Sequence, residues 1–261
     1  MISRWMLLIL LAVTGLPAQA QQSPEERGLA IAQEMDRRDS GWGDYTAGMR
    51  MILRNRQGEE SIRELRTRFL EVQDDGDKSL IIFDQPRDVQ GTALLSHTHA
   101  LQPDDQWLYL PALRRVKRIA SNNKSGPFMG SEFAYEDLTS QEVEKYSYKF
   151  LREEEHNGRP VFVIERYPEY EHSGYTRQVV WIDQQIHQPL QTVYHDRRDA
   201  KLKTLTLHGY QQYADQYWRP DEMYMENHQT GKTTRLVWSD YQFGTGLTDR
   251  DFDKNSLKRA R

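Results

Sequence analysis

Two histidines are the residues of this chain that could begin a metal site. His97 and His99 lie two positions apart, so on a β-strand both imidazoles would point to one face. A zinc site needs three or four protein ligands, and no other histidine stands at a spacing that would supply them. The sequence therefore predicts neither a metal site nor a cofactor.

The motifs of covalent and phosphate chemistry are incomplete. The chain contains no cysteine, which excludes thiolate nucleophiles, thiolate zinc sites and disulfide bonds. Gly231-Lys232-Thr233 resembles the end of a phosphate-binding loop, but Glu226 stands where that pattern requires glycine. We therefore predict a protein that is not an enzyme. A hydrolase with a polar site around His97 and His99 is the alternative that these residues leave open.

A cluster of cations follows an aromatic run and a proline. Arg114, Arg115, Lys117 and Arg118 lie within five residues, in a chain whose net charge is −4. On a regular strand Arg114 and Arg118 would share one face, and Arg115 and Lys117 the other. Such a cluster suits anionic groups, such as lipid phosphates at a membrane surface or an acidic partner. The alternative is an edge strand that charge protects against pairing with another chain.

Methionine and aromatic side chains recur along several strand-like runs. Methionine adapts to irregular contents and is common on apolar binding surfaces. Core packing explains any one of these residues, but together they predict an apolar cavity that binds a ligand. The predicted lining is Met49, Met51, Phe69, Trp107, Tyr109, Phe128, Met129, Phe133, Met223, Met225 and Trp238.

The first 20 residues have the pattern of a cleavable secretory signal peptide. Arg4 gives a positive start, and the apolar run that follows is too short to span a bilayer. Ala18-Gln19-Ala20 supplies the small-residue pattern of a cleavage site. We therefore expect a signal peptide over residues 1–20 and a single exported domain over residues 21–261.

One helix and about a dozen strands would position the remaining residues. Ser23 and Glu26 form a capping box around Pro24, and Asp39-Ser40-Gly41 would end the helix that follows. From Asp44 onward the apolar period changes from 3.6 to 2, and short turn signals separate the runs, which predicts antiparallel strands. Beyond two strands before Asp75, they are expected near 78–84, 92–99, 106–110, 114–120, 145–155, 160–167, 175–183, 189–196, 201–212, 217–227 and 232–243.

The stretch Ser121–Ser140 interrupts these strands. Its aromatic and aliphatic residues make it too apolar for a plain solvent loop. We expect a loop and a short helix that lie over one face of the sheet.

Charge and hydropathy exclude two large classes of protein. The 35 Lys and Arg nearly balance the 39 Asp and Glu, whereas nucleic-acid binding usually needs a basic excess. A mean hydropathy of −0.85 excludes a protein with several membrane-spanning helices. No linker or repeat divides the chain, which predicts one mainly β domain.

The sequence resembles a family of outer-membrane lipoprotein-sorting proteins over nearly the whole mature chain. The signal peptide, the helix before Gly41-Trp42 and the Trp107–Ile119 segment carry part of the resemblance. Its most specific part extends through Gly126-Pro127-Phe128-Met129-Gly130-Ser131-Glu132-Phe133 and Tyr135-Glu136-Asp137-Leu138. The hairpin at Thr230-Gly231-Lys232 and the ending Leu247-Thr248-Asp249-Arg250-Asp251-Phe252 fit it too.

The resemblance implies a fold like that of LolA and LolB. That fold is a strongly curved antiparallel sheet, an incomplete barrel, with helices over an apolar cavity on its concave face. It also implies a periplasmic protein of the Gram-negative envelope. The cavity would receive lipid or the acyl chains of lipoproteins, and an inner-membrane transporter of the resistance-nodulation-division (RND) type is an implied partner.

The sequence and the resemblance therefore suggest two candidate functions in addition to the hydrolase. The first is a non-enzymatic periplasmic carrier of lipid or lipidated protein. The second is an interaction module that docks on a transporter or an envelope assembly machine and fills its own concave face with side chains.

Overall fold

The structure is a computed structural model that describes residues 22–73 and 75–259. The predicted signal peptide lies outside these residues. The strands are β1 Asp44–Arg54, β2 Glu60–Leu70, β3 Lys78–Gln85, β4 Ala93–His97, β5 Asp105–Leu110, β6 Arg115–Arg118, β7 Tyr146–His156, β8 Arg159–Pro168, β9 Tyr175–Asp183, β10 Pro189–Asp196, β11 Lys201–His208, β12 Gln211–Tyr213, β13 Tyr217–Arg219, β14 Glu222–Asn227 and β15 Thr233–Phe243. The α-helix is α1 Pro24–Asp39, and 3-10 turns lie at Pro111–Leu113, Ser121–Asn123, Phe128–Gly130, Tyr135–Leu138, Val143–Lys145, Asp249–Phe252 and Lys254–Arg259.

Thirteen strands form one antiparallel sheet that does not close. Their order is β6-β5-β4-β3-β2-β1-β15-β14-β11-β10-β9-β8-β7, and β12 and β13 form a separate hairpin. The first half of the chain builds outward from β1 to β6, and the second half fills the sheet between β15 and β7. The two free edges, β6 and β7, are consecutive in the chain and are joined by residues 119–145. We refer to residues 121–145 as the strap.

The strap shows how strongly the sheet curves. In a flat sheet β5 and β9, nine positions apart, would be separated by about 43 Å. Yet Gln106 of β5 donates a hydrogen bond to the carbonyl of Tyr135 at 3.0 Å. The Tyr175 hydroxyl of β9 donates to Asp137, only two residues further along, at 2.8 Å. The sheet is therefore the incomplete barrel that the family resemblance implied, with the strap inside it.

The strap fills the centre of the inner, concave face. Phe128 and Phe133 are fully buried against inward side chains of both halves of the sheet, such as Met51 and Met225. Lys203 of β11 is buried and pairs with Asp137 at 2.6 Å. The Phe128–Met129 turn and the Tyr135–Leu138 turn thus belong to the core, as the apolar character of this stretch predicted.

The helix α1 covers the inner face at the other end of the sheet. It begins with the predicted capping box, in which Ser23 and Glu26 exchange hydrogen bonds at 3.1 and 2.8 Å. Ile31 and Ala32 pack against Tyr148, Ile164 and other inward residues of β7 to β9. No helix within the described residues is long and apolar enough to cross a bilayer.

The outer face of β3 to β5 is also buried, because the C-terminal turns lie over it. Phe252 and Leu257 pack against outward residues such as Leu80 and Leu95. Trp107 and Tyr109 join this cluster, since the inward residues of β5 are Gln106, Leu108 and Leu110. The two aromatic residues therefore lie on the face opposite to the one predicted for a cavity lining.

Several predicted strands are shorter or interrupted. The predicted run 201–212 breaks after His208, where Gly209 adopts a φ of +66°. The run 217–227 breaks at Pro220, and the hairpin β12–β13 turns away from the main sheet. In place of the strand predicted at 114–120, β6 covers only Arg115–Arg118, because Arg114 is left-handed with φ of 48°.

Candidate binding cavity

A cavity of about 980 Å³ remains at one end of the inner face, between α1 and the strap. Its walls are the last turns of α1, the end of the strap, and the turns that precede β3 and β5. Its floor consists of inward residues of β8 and β9. The residues around it include Ala32, Met35, Trp42, Val72, Leu101, Val143, Tyr148, Ile164, Val180 and Ile182 on the apolar side.

Close packing of α1 on β7 positions the helical wall. Gly28 is buried, and a Cβ at this position would lie 2.8 Å from the Phe150 amide nitrogen and 2.9 Å from the Lys149 carbonyl carbon. Glycine is required here because the helix backbone rests directly on the strand. One helical turn later Ala32, and then Met35, reach the cavity.

The mouth of the cavity is rich in carboxylates. In the part of the chain that the structure describes, Arg166 is the one cation that lines the cavity. It donates to Gln178 at 2.7 Å and lies over the Tyr146 ring at 4.9 Å. The lining carboxylates are Asp36, Asp39, Glu71, Asp75, Asp77, Glu142 and Glu144.

Several of these carboxylates also fix the loops that carry them. Glu71 accepts hydrogen bonds from the amides of Gly41 at 2.6 Å and Gly43 at 2.7 Å. Asp75 accepts from the amide of Ala100 at 2.9 Å and lies 2.8 Å from the His99 ring. The mouth is therefore a set of cross-linked turns rather than independent loops.

Burial at the mouth of the cavity raises the pKa of two carboxyl groups. Burial raises the pKa of Asp77 to about 6, although its carboxylate accepts from the Val72 amide at 3.2 Å and the Ser140 hydroxyl at 3.1 Å. Burial, and then the charge of Asp77, raise the pKa of Glu142 to about 7. Both groups therefore take up protons not far below neutral pH.

A buried arginine ties the end of α1 to the β12–β13 hairpin beside the cavity. Arg219 pairs with Asp39 at 2.6 Å and is 8% exposed. Its guanidinium lies 5.3 Å from the Tyr45 ring centre and 5.9 Å from that of Trp42, so cation–π contacts surround the ion pair. This cluster closes one side of the cavity.

The structure places the predicted ligand contacts away from this cavity. Met49, Met51, Phe69, Met223, Met225 and Trp238 lie on the inner face of β1, β2, β14 and β15. Phe128, Met129 and Phe133 belong to the strap that packs onto that face. None of the eleven predicted residues is among those that line the 980 Å³ cavity.

The two histidines do not come together as a metal site. His97 ends β4 on the outer face, where its Nε2 lies 2.8 Å from the Phe252 carbonyl oxygen. His99 lies beyond the strand and contacts Asp75. Within the described residues no group of three or more histidine, aspartate or glutamate side chains could hold a metal ion.

The predicted basic cluster lies on the free edge of the sheet. Arg115 and Lys117 of β6 face the same side, and Arg118 faces the other side and pairs with Asp105. Arg114 lies in the turn before β6, so it does not share a strand face with Arg118. Leu113, in the same turn, is 62% exposed.

Comparisons with known proteins agree with this architecture. A crystal structure described as an outer membrane lipoprotein-sorting protein domain, from Vibrio parahaemolyticus, is 60% identical; the match covers 90% of this chain and 100% of that chain, with a TM-score of 0.89. The chain belongs to the outer-membrane lipoprotein-sorting protein family. A DUF1329 family protein from Desulfovibrio piger is 30% identical over 90% of this chain and 100% of that chain, with a TM-score of 0.85.

More distant matches show how the family's fold is related to others. A LolA superfamily protein from Nitrosomonas europaea is 18% identical over 87% of this chain and 98% of that chain, with a TM-score of 0.70, which shows the same fold. A family model described as an uncharacterized protein matches residues 75–259. No curated protein matches the chain. The predicted family and the LolA-like fold class are thus confirmed.

Proposed function

We propose that this lipoprotein-sorting family member is a non-enzymatic periplasmic carrier. The cavity between α1 and the strap would hold an apolar chain of a lipid or of a lipidated protein. The relative from Vibrio parahaemolyticus is described as an outer membrane lipoprotein-sorting protein domain, which supports a sorting role in the envelope. The predicted signal peptide supports export to the periplasm. An inner-membrane transporter of the RND type is the partner that the family resemblance suggests.

The observation that carries this proposal is the cavity itself. Its volume of about 980 Å³ lies at the upper end of the range of small-molecule sites. Burial of each methylene group contributes about 0.8 kcal/mol, so a groove that covers part of an acyl chain binds it usefully. Release of the ligand requires that one wall of the cavity can move. The helix α1 can serve as this wall, because a single short segment, residues 40–43, joins it to β1.

The charge of the mouth narrows the ligand class. Among the described residues, seven carboxylates and one arginine line the cavity, and Arg219 neutralises one of the carboxylates. An apolar chain with a neutral or cationic polar end fits these surroundings better than a fatty acid, whose carboxylate would meet like charges. A lipidated peptide with an amide or amine next to its acyl chain belongs to this class.

An interaction module is the second candidate, and the strap favours it. Phe128 and Phe133 fill the centre of the concave face with the protein's own side chains. The family motif that contains them also carries Asp137, which holds the strap to Lys203 of β11. A module of this kind would dock on a transporter without carrying a ligand.

Uptake of an uncharged fluorescent probe, N-phenyl-1-naphthylamine, separates the two candidates. Val143 is half-buried at the cavity wall beside Met35, and Val143→Trp would fill the space there. We expect the parent to bind the probe and V143W to bind it about tenfold more weakly or worse, because apolar contact area is lost.

The control is Val237→Trp, which adds the same ring to a half-buried position on the outer face of β15, opposite Arg50. It should bind the probe as the parent does. Native mass spectrometry of protein purified from the envelope should also show a bound lipid. A parent that takes up no probe and carries no lipid would contradict the carrier and leave the docking module.

A further inference from the structure

We propose that the turn and edge strand at Leu113–Lys117 form a docking surface for anionic phospholipid bilayers, in which Leu113 enters the lipid interface. The surface comprises Leu113, Arg114, Arg115 and Lys117, with Lys258 beside it. We call it the basic turn.

The charges of the basic turn are not used inside the protein. Among the described residues Arg114, Arg115, Lys117 and Lys258 take part in no ion pair, whereas neighbouring Arg118 is held by Asp105. Arg114 and Lys258 line a common cavity of about 760 Å³ with Pro111 and Tyr109. Asp84 in that cavity lies 3.4 Å from Arg66, which reduces its ability to neutralise the cations.

An exposed leucine directly precedes these cations in the chain. Leu113 is 62% exposed in the Pro111–Leu113 turn, and Arg114 follows it in a left-handed conformation with φ of 48°. An apolar side chain that projects between unpaired cations is the arrangement by which peripheral proteins bind anionic membranes. Each cation near such a surface strengthens binding roughly fivefold at low ionic strength.

Strand addition by a partner chain fits the basic turn less well. β6 is four residues long and starts directly after the left-handed Arg114. A short, charged edge strand discourages pairing with another strand. The same features do not hinder contact with a bilayer, which needs no backbone register.

The basic turn and the cavity lie at opposite ends of β5. Leu113 follows the end of β5, whereas Ala100 and Leu101 at the cavity mouth precede its start. A protein docked through the basic turn would therefore hold its acidic mouth away from the bilayer. Membrane binding and ligand uptake are thus separate properties, and failure of one does not imply failure of the other.

Vesicle sedimentation tests the charges. We expect the parent to bind vesicles that contain phosphatidylglycerol and not vesicles of phosphatidylcholine alone, with binding that weakens as salt increases. The variant R114Q/R115Q/K117Q should bind the anionic vesicles roughly a hundredfold more weakly at low salt, from about fivefold for each cation. The matched control R50Q/K149Q/K201Q removes three exposed cations elsewhere on the sheet that form no ion pair with any described residue, and it should bind like the parent.

The proposal is overturned if the parent binds no anionic vesicles, if the triple variant binds as well as the parent, or if the control loses as much as the triple variant. Thermal unfolding of each variant shows whether it is folded. Because β6 is an edge strand with exposed side chains, we expect unchanged unfolding curves.

Labelled cysteines test the orientation. The chain has no cysteine, so Leu113→Cys and Leu101→Cys each give a single labelling site at an exposed leucine, 62% and 80% exposed. With an environment-sensitive dye, L113C should brighten and shift to the blue on anionic vesicles, and L101C should not. An unchanged dye at position 113, or the same change at both positions, would overturn the proposed insertion.

Discussion

The carboxyl groups of Asp77 and Glu142 show how single residues set the chemistry of the cavity mouth. Asp77 is held by the Val72 amide and the Ser140 hydroxyl, which tie the turn before β3 to the strap. The carboxylate of Glu142, two residues after Ser140, accepts no hydrogen bond from the described residues. Glu142 is partly exposed, which moderates the cost of burying its charge, but the charged form is still disfavoured by burial and by the charge of Asp77.

The raised pKa of Glu142 gives a stability prediction with a definite sign. Its ordinary value is 4.5 and its folded value is about 7, so between these values the folded protein binds more protons than the unfolded chain. Stability therefore falls as the pH rises through this window. Glu142→Gln removes the charge, and we expect it to stabilise the protein at pH 8 by about 1 kcal/mol or less, since the group is partly exposed.

Thermal unfolding of E142Q and of the parent, measured from about pH 4 to pH 8, checks this prediction. At the upper end of this pH range, each kcal/mol of stabilisation should raise the unfolding temperature by about 2–4 °C. The matched control is Glu144→Gln, an exposed carboxylate of the same cavity wall. A gain for E142Q that stays the same at every pH would contradict a titrating Glu142.

At the scale of elements, α1 and the strap divide the concave face between them. The strap is held from both halves of the sheet, by Gln106, Arg63 and Lys203, and it forms part of the core. The helix packs on β7 to β9, most closely on β7, and is held at its end by the Asp39–Arg219 pair. The strap is thus the fixed wall of the cavity, and α1 is the wall that a ligand would displace.

The contact at Gly28 decides how α1 sits on β7. On an exposed helix Gly→Ala would stabilise the protein by about 1 kcal/mol, but here the new Cβ would meet backbone atoms of Lys149 and Phe150 within 3.0 Å. We expect Gly28→Ala to destabilise the protein by about 1–3 kcal/mol, as overpacking does, and to alter probe binding because the cavity wall moves.

Urea unfolding and probe titration measure the two effects. Ala30→Gly, at an exposed position of the same helix, should cost only about 1 kcal/mol and leave probe binding unchanged. A stabilised G28A with parental probe binding would show that α1 is not held at this close contact.

Local patterns predict much of this element list, and long-range contacts explain the rest. The capping box at Ser23 and most of the period-2 runs depend on neighbours in the chain, and they appear where the sequence predicts them, apart from the runs that are broken at Gly209 and Pro220 or shortened at Arg114. Alternation alone cannot show which face of a strand is inward, and the structure places Trp107 and Tyr109 of the predicted cavity lining on the outer face. The run Leu80–Phe83 did contain a signal, since four consecutive apolar residues indicate a strand covered on both faces, and the structure buries it on both.

The cavity could not be found in the same way, because its walls come from distant parts of the chain. Met35, Glu71, Leu101 and Glu142 meet only once the sheet has curved and the strap has crossed it. The turn segments that carry the carboxylates are rich in acids, but acidic turns are common on solvated sheets. These segments come together as one charged mouth only because the sheet is strongly curved.

At the scale of the whole molecule, charge is separated between the two ends of the barrel. One end holds the acidic mouth, and the other holds the basic turn and a second cavity of about 570 Å³. That second cavity is lined by the cations Arg197, Arg198, Lys203 and Lys232 and by the anions Glu132 and Asp196. The field of such a molecule attracts cationic groups to the mouth and anionic surfaces to the opposite end.

This polarity predicts a ranking of ligands that share one apolar chain. Dodecylamine, dodecanol and dodecanoate bury the same hydrocarbon, so differences in how well they displace the naphthylamine probe report the polar end. At pH 7.5 and low salt we expect the amine to compete about tenfold more strongly than the carboxylate, with the alcohol between them, since opposite charges near a protein surface interact by one to a few kcal/mol. Salt should shrink the difference, and so should pH below 6, as Glu142 and Asp77 take up protons. If all three ligands compete equally well, apolar contact alone determines their affinity. If dodecanoate competes more strongly than dodecylamine, the acidic mouth is not the entrance for the ligand.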